Sequence, residues 1–366
     1  MKRSIKIPIV YYHSVGPVIK HWYRNFLTIS QDDFKRQLKY FRDHYTIISM
    51  REAWMIRSGL AEPVSHPLVI TFDDGYSDNY TFAFPVLKEF EAKATIFISP
   101  LFADNREIVR SPGDVPGFLS WKEMQIMEDS GLVDIQSHTL SHAKYTTSDK
   151  IVGFHHPGGD ILHPAINLFP GRRTDHIGDP TFEKVLPYGY PLFENGPAMT
   201  ARIVKINPDF ISLCVDKLSD YDFTDYNFNK AMKCVNEIYN WYRTKDRLIT
   251  AIETEEEYVS RVTDEIYSSK QIIEEKLNKR VDFLCWPHGV NSEMLHALAM
   301  EAGYLMTTQG KSLVISGEDH TRIPERLGVD FSSFYNKRKT ISKLKALSGE
   351  FPNEMMLKLF RGIKRT

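Results

Sequence analysis

The chain has 366 residues, 42% of them hydrophobic and 12% aromatic, enough to bury one large core or two smaller ones. A formal net charge of −1 creates no global field toward nucleic acid, which is therefore not expected as a partner. No run of eighteen apolar residues occurs, so a membrane-spanning helix is excluded by length.

The first apolar run, Ile7-Pro8-Ile9-Val10, closes on Tyr11-Tyr12-His13-Ser14. Ser30-Gln31-Asp32-Asp33 then caps a helix that carries Phe34, Leu38 and Phe41 on one face, and Tyr45-Thr46-Ile47-Ile48 reads as the next strand. Val69-Ile70-Thr71-Phe72 is apolar and β-rich and ends at Asp73-Asp74-Gly75, which places two carboxylates where a strand turns. Ser120 and Glu123 form a capping box ahead of a helix, and the run Leu132-Val133-Asp134-Ile135 leads to Ser137-His138, with His142 four residues on. Thr254 and Glu257 repeat the capping box before a long helix with Tyr258, Val262, Ile266, Ile273 and Leu277 along one face, followed by Val281-Asp282-Phe283-Leu284-Cys285. Strand and helix alternate, with chemically capable residues at the strand ends. This is the pattern of an α/β barrel.

Residues 151–255 break the alternation. From Gly153 to Pro197, 14 of 45 positions are Gly or Pro, so an ordered, loop-rich insertion is expected there. Its aromatics, Phe154, Phe169, Phe182, Tyr188, Tyr190 and Phe193, oppose disorder, and Phe228, Met232, Val235 and Tyr239 mark a helix behind it. Leaving directly after His142, the insertion is placed to roof a pocket; Arg172, Arg173, Asp175 and His176 suit sugar or phosphate contacts, and an oligomer interface or structural cap is the alternative. His155, His156 and His163 are left unassigned. The stretch from Lys337 to Thr366 has nine Lys or Arg against two Glu, interspersed with Met355, Met356, Leu359, Phe360 and Ile363. A solvated helix is its ordinary meaning, and peripheral contact with anionic lipid is the alternative.

Two histidines and one aspartate make a three-ligand set that leaves a position open for water, as in catalytic zinc sites. Asp74, His138 and His142 are assigned as ligands of a divalent metal, with zinc the expected ion, and Asp73 as the base that takes the water's proton. An Asp-Asp-Gly turn or a His-x3-His pair is ordinarily a surface feature when alone. Their occurrence in order, each at a strand end, sets this chain apart.

These motifs resemble the polysaccharide deacetylase family, the NodB-homology domain, with Thr71-Phe72-Asp73-Asp74-Gly75 as its first motif and His138 to His142 as its second. Ala94-Thr95-Ile96-Phe97, Leu119-Ser120-Trp121-Lys122-Glu123-Met124, Trp286-Pro287-His288-Gly289 and Glu301-Ala302-Gly303-Tyr304 follow the same pattern. The resemblance covers roughly residues 5–150 and 256–332. It implies a distorted seven-stranded (β/α) barrel split as 1–150 and 256–335, an insertion at 151–255 and a basic tail at 336–366. The implied reaction is hydrolysis of an N-acetyl group from an amino sugar or glycan, releasing acetate. It also implies substrate contacts at Tyr76, Trp286 and Pro287, a hydrogen bond to the oxyanion from the position of His288, and an acid for the leaving nitrogen.

For that acid, Tyr12-His13 resembles the strand-end pair of the exported poly-N-acetylglucosamine deacetylases, which points to His13, with His288 as its competitor. Where many members carry an arginine and then a tyrosine in the third motif, this chain has Cys285 and His288. Another cation must then orient Asp73, and Arg326 in Ile323-Pro324-Glu325-Arg326-Leu327 takes that role by resemblance to a late Pro-Arg element. A catalytically inactive carbohydrate-binding barrel and a metal-independent two-carboxylate glycoside hydrolase are the alternative functions. Met1-Lys2-Arg3-Ser4 enters the first run without an apolar export region, and Cys214, Cys234 and Cys285 show no metal spacing. A cytoplasmic enzyme is therefore expected, with any membrane contact peripheral and on the inner face.

Overall fold

A computed structural model describes residues 6–18, 25–114, 117–157, 186–219, 221–290, 292–308 and 321–350. The chain divides into two compact units, one of residues 1–139 with 268–366 and one of residues 140–267. The division falls between Thr139 and Leu140, inside the short loop that carries both motif histidines.

The first unit is built on one curled parallel sheet. In chain order its strands are β1 (Ile9–Tyr12), β4 (Thr46–Ile48), β5 (Pro67–Phe72), β6 (Ala94–Ile98), β7 (Val133–Ser137), β12 (Phe283–Leu284), β13 (Met306–Thr308), β14 (Arg322–Ile323) and β15 (Arg326–Gly328). The small pair β2 (Ser14–Val15) and β3 (Thr28–Ile29) lies outside it. The sheet runs β14-β13-β12-β7-β6-β5-β1-β15, with β4 joined to β5. β4 pairs with residues 67–69 of β5 and β6 with residues 71–72, so the two short strands follow one another along one edge while β1 takes the other. The expected parallel α/β barrel is present. Its path runs through eight strands rather than seven because the short β14 and β15 extend both ends.

Local chemistry explains the elements. Ser30 accepts from the Asp33 amide at the start of the helix Gln31–His44, whose Phe34, Leu38 and Phe41 are fully buried. The capping boxes form at Ser120–Glu123 and Thr254–Glu257. β5 and β6 are buried at every position, as expected of strands covered on both faces. Because every described pairing in this sheet is parallel, the residues that follow the strands collect on one face.

The second unit has its own core. β8 (Lys144–Phe154) and β9 (Pro191–Pro197) form an antiparallel pair, as do β10 (Val204–Ile206) and β11 (Ile249–Ile252). The helices Pro208–Leu218 and Asp225–Thr244 contribute Phe210, Cys214, Leu218, Ala231 and Val235 to a core that includes Phe154 and Phe193. Phe154 stacks on Phe228 at 5.0 Å, so these aromatics serve packing. Phe169, Phe182, His163, Arg172, Arg173, Asp175, His176 and the tail residues from Met355 onward lie outside the described residues.

Candidate active site at the strand ends

Asp73 is the first residue after β5, and its amide donates to the Tyr12 carbonyl at the end of β1. The chain then turns through two left-handed residues, Asp74 at φ 71 and Gly75 at φ 70. A Cβ at Gly75 would meet Ile98 Cγ2 at 2.7 Å, so glycine is required there by both conformation and space. The turn brings consecutive side chains, which would diverge along a strand, into one cluster. Both are buried, Asp73 at 4% and Asp74 at 2% exposure.

His138 leaves β7 in the same way. Its Nδ1 lies 2.7 Å from the Cys285 carbonyl. A carbonyl only accepts, so Nδ1 carries a proton, and Nε2 is the ring nitrogen that faces Asp74 Oδ1, 3.4 Å away. The loop to His142 is not helical; Thr139 and His142 adopt positive φ values of 61 and 49. Glu265 accepts from the Ser141 amide at 2.9 Å and from its hydroxyl, which holds the loop at this bend. One ligand atom from each of Asp74, His138 and His142 falls within 4.8 Å of the other two, and all three residues are buried. This donor set fits a divalent cation, because it joins a carboxylate to an imidazole whose tautomer is already fixed. Tyr76, 1% exposed and stacked on Phe118, donates its hydroxyl to Asp74 Oδ2 at 3.0 Å. It orients the Asp74 carboxylate.

Arg326 grips Asp73 with both nitrogens, Nη1 to Oδ1 at 2.7 Å and Nη2 to Oδ2 at 2.8 Å. Its Nη1 also donates to Thr71 Oγ1, and its guanidinium lies over the rings of Tyr11 and Phe97. Burial alone would raise the Asp73 carboxyl, yet the Arg326 guanidinium outweighs it and holds the group below its ordinary range. Burial opposes the charge on Arg326, and Asp73 overrides that effect and raises its pKa. Cys285, fully buried, sits beside the pair with Sγ 3.0 Å from Arg326 Nη2 and 3.8 Å from Asp73 Oδ1. Arg326 reaches Asp73 from β15.

His13 follows β1, with its carbonyl accepting from Asn79 Nδ2 at 2.8 Å and its ring edge-on to Tyr11. The neighbouring Asp78 accepts from the Ser14 hydroxyl, and burial pushes its carboxyl up to about 7. His288 is left-handed, at φ 58 and ψ 4, in the single turn Pro287–Gly289. Trp286 is 1% exposed and Pro287 is buried. Three features had no clear sequence signal: the Cys285 carbonyl that orients His138, the Glu265 anchor, and Asp78. Only the last belonged to a readable segment, as a carboxylate four residues after Asp74.

The strand order and the cluster at the strand ends define a curled parallel α/β barrel with a metal-competent carboxylate–imidazole site. Residues 61–152 match the family model of the polysaccharide deacetylases. Over 142 residues, 38% of this chain, it is 33% identical to YxkH of Bacillus subtilis (strain 168), whose name places it among the polysaccharide deacetylases. That match spans 45% of the relative's length. The fold resembles a de-N-acetylase from Aggregatibacter actinomycetemcomitans, at a TM-score of 0.56 and 17% identity, covering 91% of this chain and 98% of the other. It also resembles the BpsB deacetylase domain of Bordetella bronchiseptica, at 0.53 and 17%, over 89% and 97%. The Streptococcus pyogenes deacetylase PplD, solved with acetate, gives 0.52 and 18% over 92% and 99%. These three share its fold.

Proposed function

We propose that the chain is a metal-dependent deacetylase that hydrolyses the N-acetyl amide of an amino sugar within a glycan, releasing acetate and leaving a free amine. The observation that carries this reading is the division of labour in one buried cluster. Asp73 is clamped and kept ionised by Arg326, while Asp74 Oδ1 lies 3.4 Å from His138 Nε2.

Asp74, His138 and His142 would hold the ion, with zinc the expected metal. When bound, such an ion supplies Lewis-acid polarisation of the amide carbonyl and acidifies water. Asp73 accepts the water's proton on a carboxylate oxygen, which needs the ionised form that Arg326 maintains. Arg326 also fixes the direction of that oxygen, since a bidentate grip leaves the carboxylate little rotational freedom. His13, at the open end of β1, protonates the departing nitrogen. His288, in the third motif, would donate a hydrogen bond to the developing oxyanion. Tyr76 acts on Asp74 rather than on the sugar, in keeping with its burial.

The test is incubation of metal-loaded protein with N-acetylglucosamine oligomers, measuring acetate, free amines and reducing ends. Acetate and amine in equal amounts, with reducing ends unchanged, support the reading. New reducing ends without acetate would establish a glycoside hydrolase instead.

A further inference from the structure

The reaction above makes no use of the Cys285 thiol, although it lies among the reacting groups. One ligand atom from each of Asp73, His138 and Cys285 falls within 4.8 Å of the other two, and all three residues are buried. Carboxylate oxygen, imidazole nitrogen and thiolate sulfur together suit a thiophilic divalent ion such as cadmium or excess zinc. We propose that Asp73, His138 and Cys285 form a second metal site, selective for thiophilic ions, which excludes the first and inhibits the enzyme.

Exclusion follows from His138. Its Nδ1 is committed to the Cys285 carbonyl at 2.7 Å, which leaves Nε2 as the one ring nitrogen for a metal in either set. A single lone pair serves one ion. Binding at the second set forms a bond to Cys285 Sγ as the thiol proton leaves to solvent, with no change of oxidation state. An Asp73 oxygen exchanges one of its Arg326 contacts for the metal. The guanidinium keeps its place meanwhile, through Thr71 Oγ1 at 3.2 Å and the faces of Tyr11 and Phe97. Inhibition rests on the deacetylase reading, because the second site removes the ligand His138 and the base Asp73 in one event. Metal binding itself does not rest on it.

The experiment titrates metal-free full-length protein with cadmium and records the thiolate-to-metal charge-transfer absorption. Cys214 and Cys234 also carry thiols, so the informative signal is the part lost in Cys285→Ser. That part is expected in the wild type and in His142→Ala, which lacks a ligand of the first set only. Asp73→Asn, which leaves every cysteine in place, is expected to bind at least about tenfold more weakly, since loss of even an outer partner costs ~10–100-fold. Equal absorption in wild type and Cys285→Ser, or loss of the signal in His142→Ala, would overturn the site. Should Cys285→Ser not fold, Cys285→Ala and the Asp73→Asn titration carry the test. Cadmium inhibition of acetate release should weaken about tenfold or more in the cysteine variant by the same reasoning. Binding through Cys285 in a protein that never releases acetate would remove the deacetylase reading alone. Acetate release without any Cys285-dependent signal would remove this site alone.

Discussion

Replacing Arg326 with methionine keeps an unbranched, largely apolar stem and removes the guanidinium charge that holds Asp73. Two short charge-assisted hydrogen bonds disappear, in a pair whose side chains are 14% and 6% exposed. Breaking a buried pair by deleting one partner costs ~3–5 kcal/mol, because the remaining charge is left uncompensated. Asp73 escapes that cost by taking up a proton. Burial, which Arg326 overrides in the wild type, then governs the carboxyl and moves it from below its ordinary range to above it. A protonated Asp73 is no base. At 1.36 kcal/mol per decade, ~3–5 kcal/mol corresponds to a loss of roughly 10²–10⁴ in kcat/KM. The acid limb of the pH–rate profile should move upward as well. Stability follows the same sign. In the wild type the lowered carboxyl contributes stability that is present above pH ~4 and lost as pH falls through the folded pKa. In the variant the raised carboxyl binds its proton more tightly folded than unfolded, so stability declines as pH rises through that range. Acetate release and thermal unfolding across a pH series measure both effects, with metal content as the control. An unchanged kcat/KM together with an unmoved acid limb would refute the argument.

Asp73→Asn should abolish turnover with metal content nearly intact, whereas His138→Ala and His142→Ala should lose both; elemental analysis showing equal metal loss in all three would erase the division between base and ligands. Tyr76→Phe removes the hydroxyl bonded to Asp74, and metal affinity measured by competition with a chelator should fall ~10–100-fold. An unaltered affinity would leave Tyr76 with packing alone. Asp78, its carboxyl pushed up to about 7 by burial, binds a proton more tightly in the folded state. Stability should therefore decrease as pH rises from ~4 toward 7, and Asp78→Asn should flatten that slope in urea unfolding, a slope that persists in full if the assignment is mistaken.

Asp73, Asp74, His138 and His142 were legible because apolar strand runs stop at them, and a parallel sheet collects such endings on one face. The turn that separates the two aspartates was foreshadowed by Gly75, but the left-handed conformation of Asp74 itself was not. Arg326 was reached through a short late motif alone; its grip on a residue 253 positions away is a property of β15 pairing with β1. Backbone groups leave no trace in side-chain identity, which hid the Cys285 carbonyl behind a cysteine that matched nothing expected. The β8–β9 pair was hidden for another reason. Lys144–Phe154 mixes polar and apolar residues without alternation, and the segment between the two strands is rich in glycine and proline, so hydrophobic periodicity had nothing to report. The helix Asp225–Thr244, with Phe228, Met232, Val235 and Tyr239 in register, was readable in the same unit.

The central claim is that Asp74, His138 and His142 hold the ion on which Asp73-assisted hydrolysis depends. Its most direct measurement is acetate release by the wild-type protein before chelation, after chelation, and after return of one equivalent of zinc, with bound metal determined on each sample. Activity and bound metal should disappear together and return together at a one-to-one ratio. Full acetate release from protein that holds no metal would contradict it.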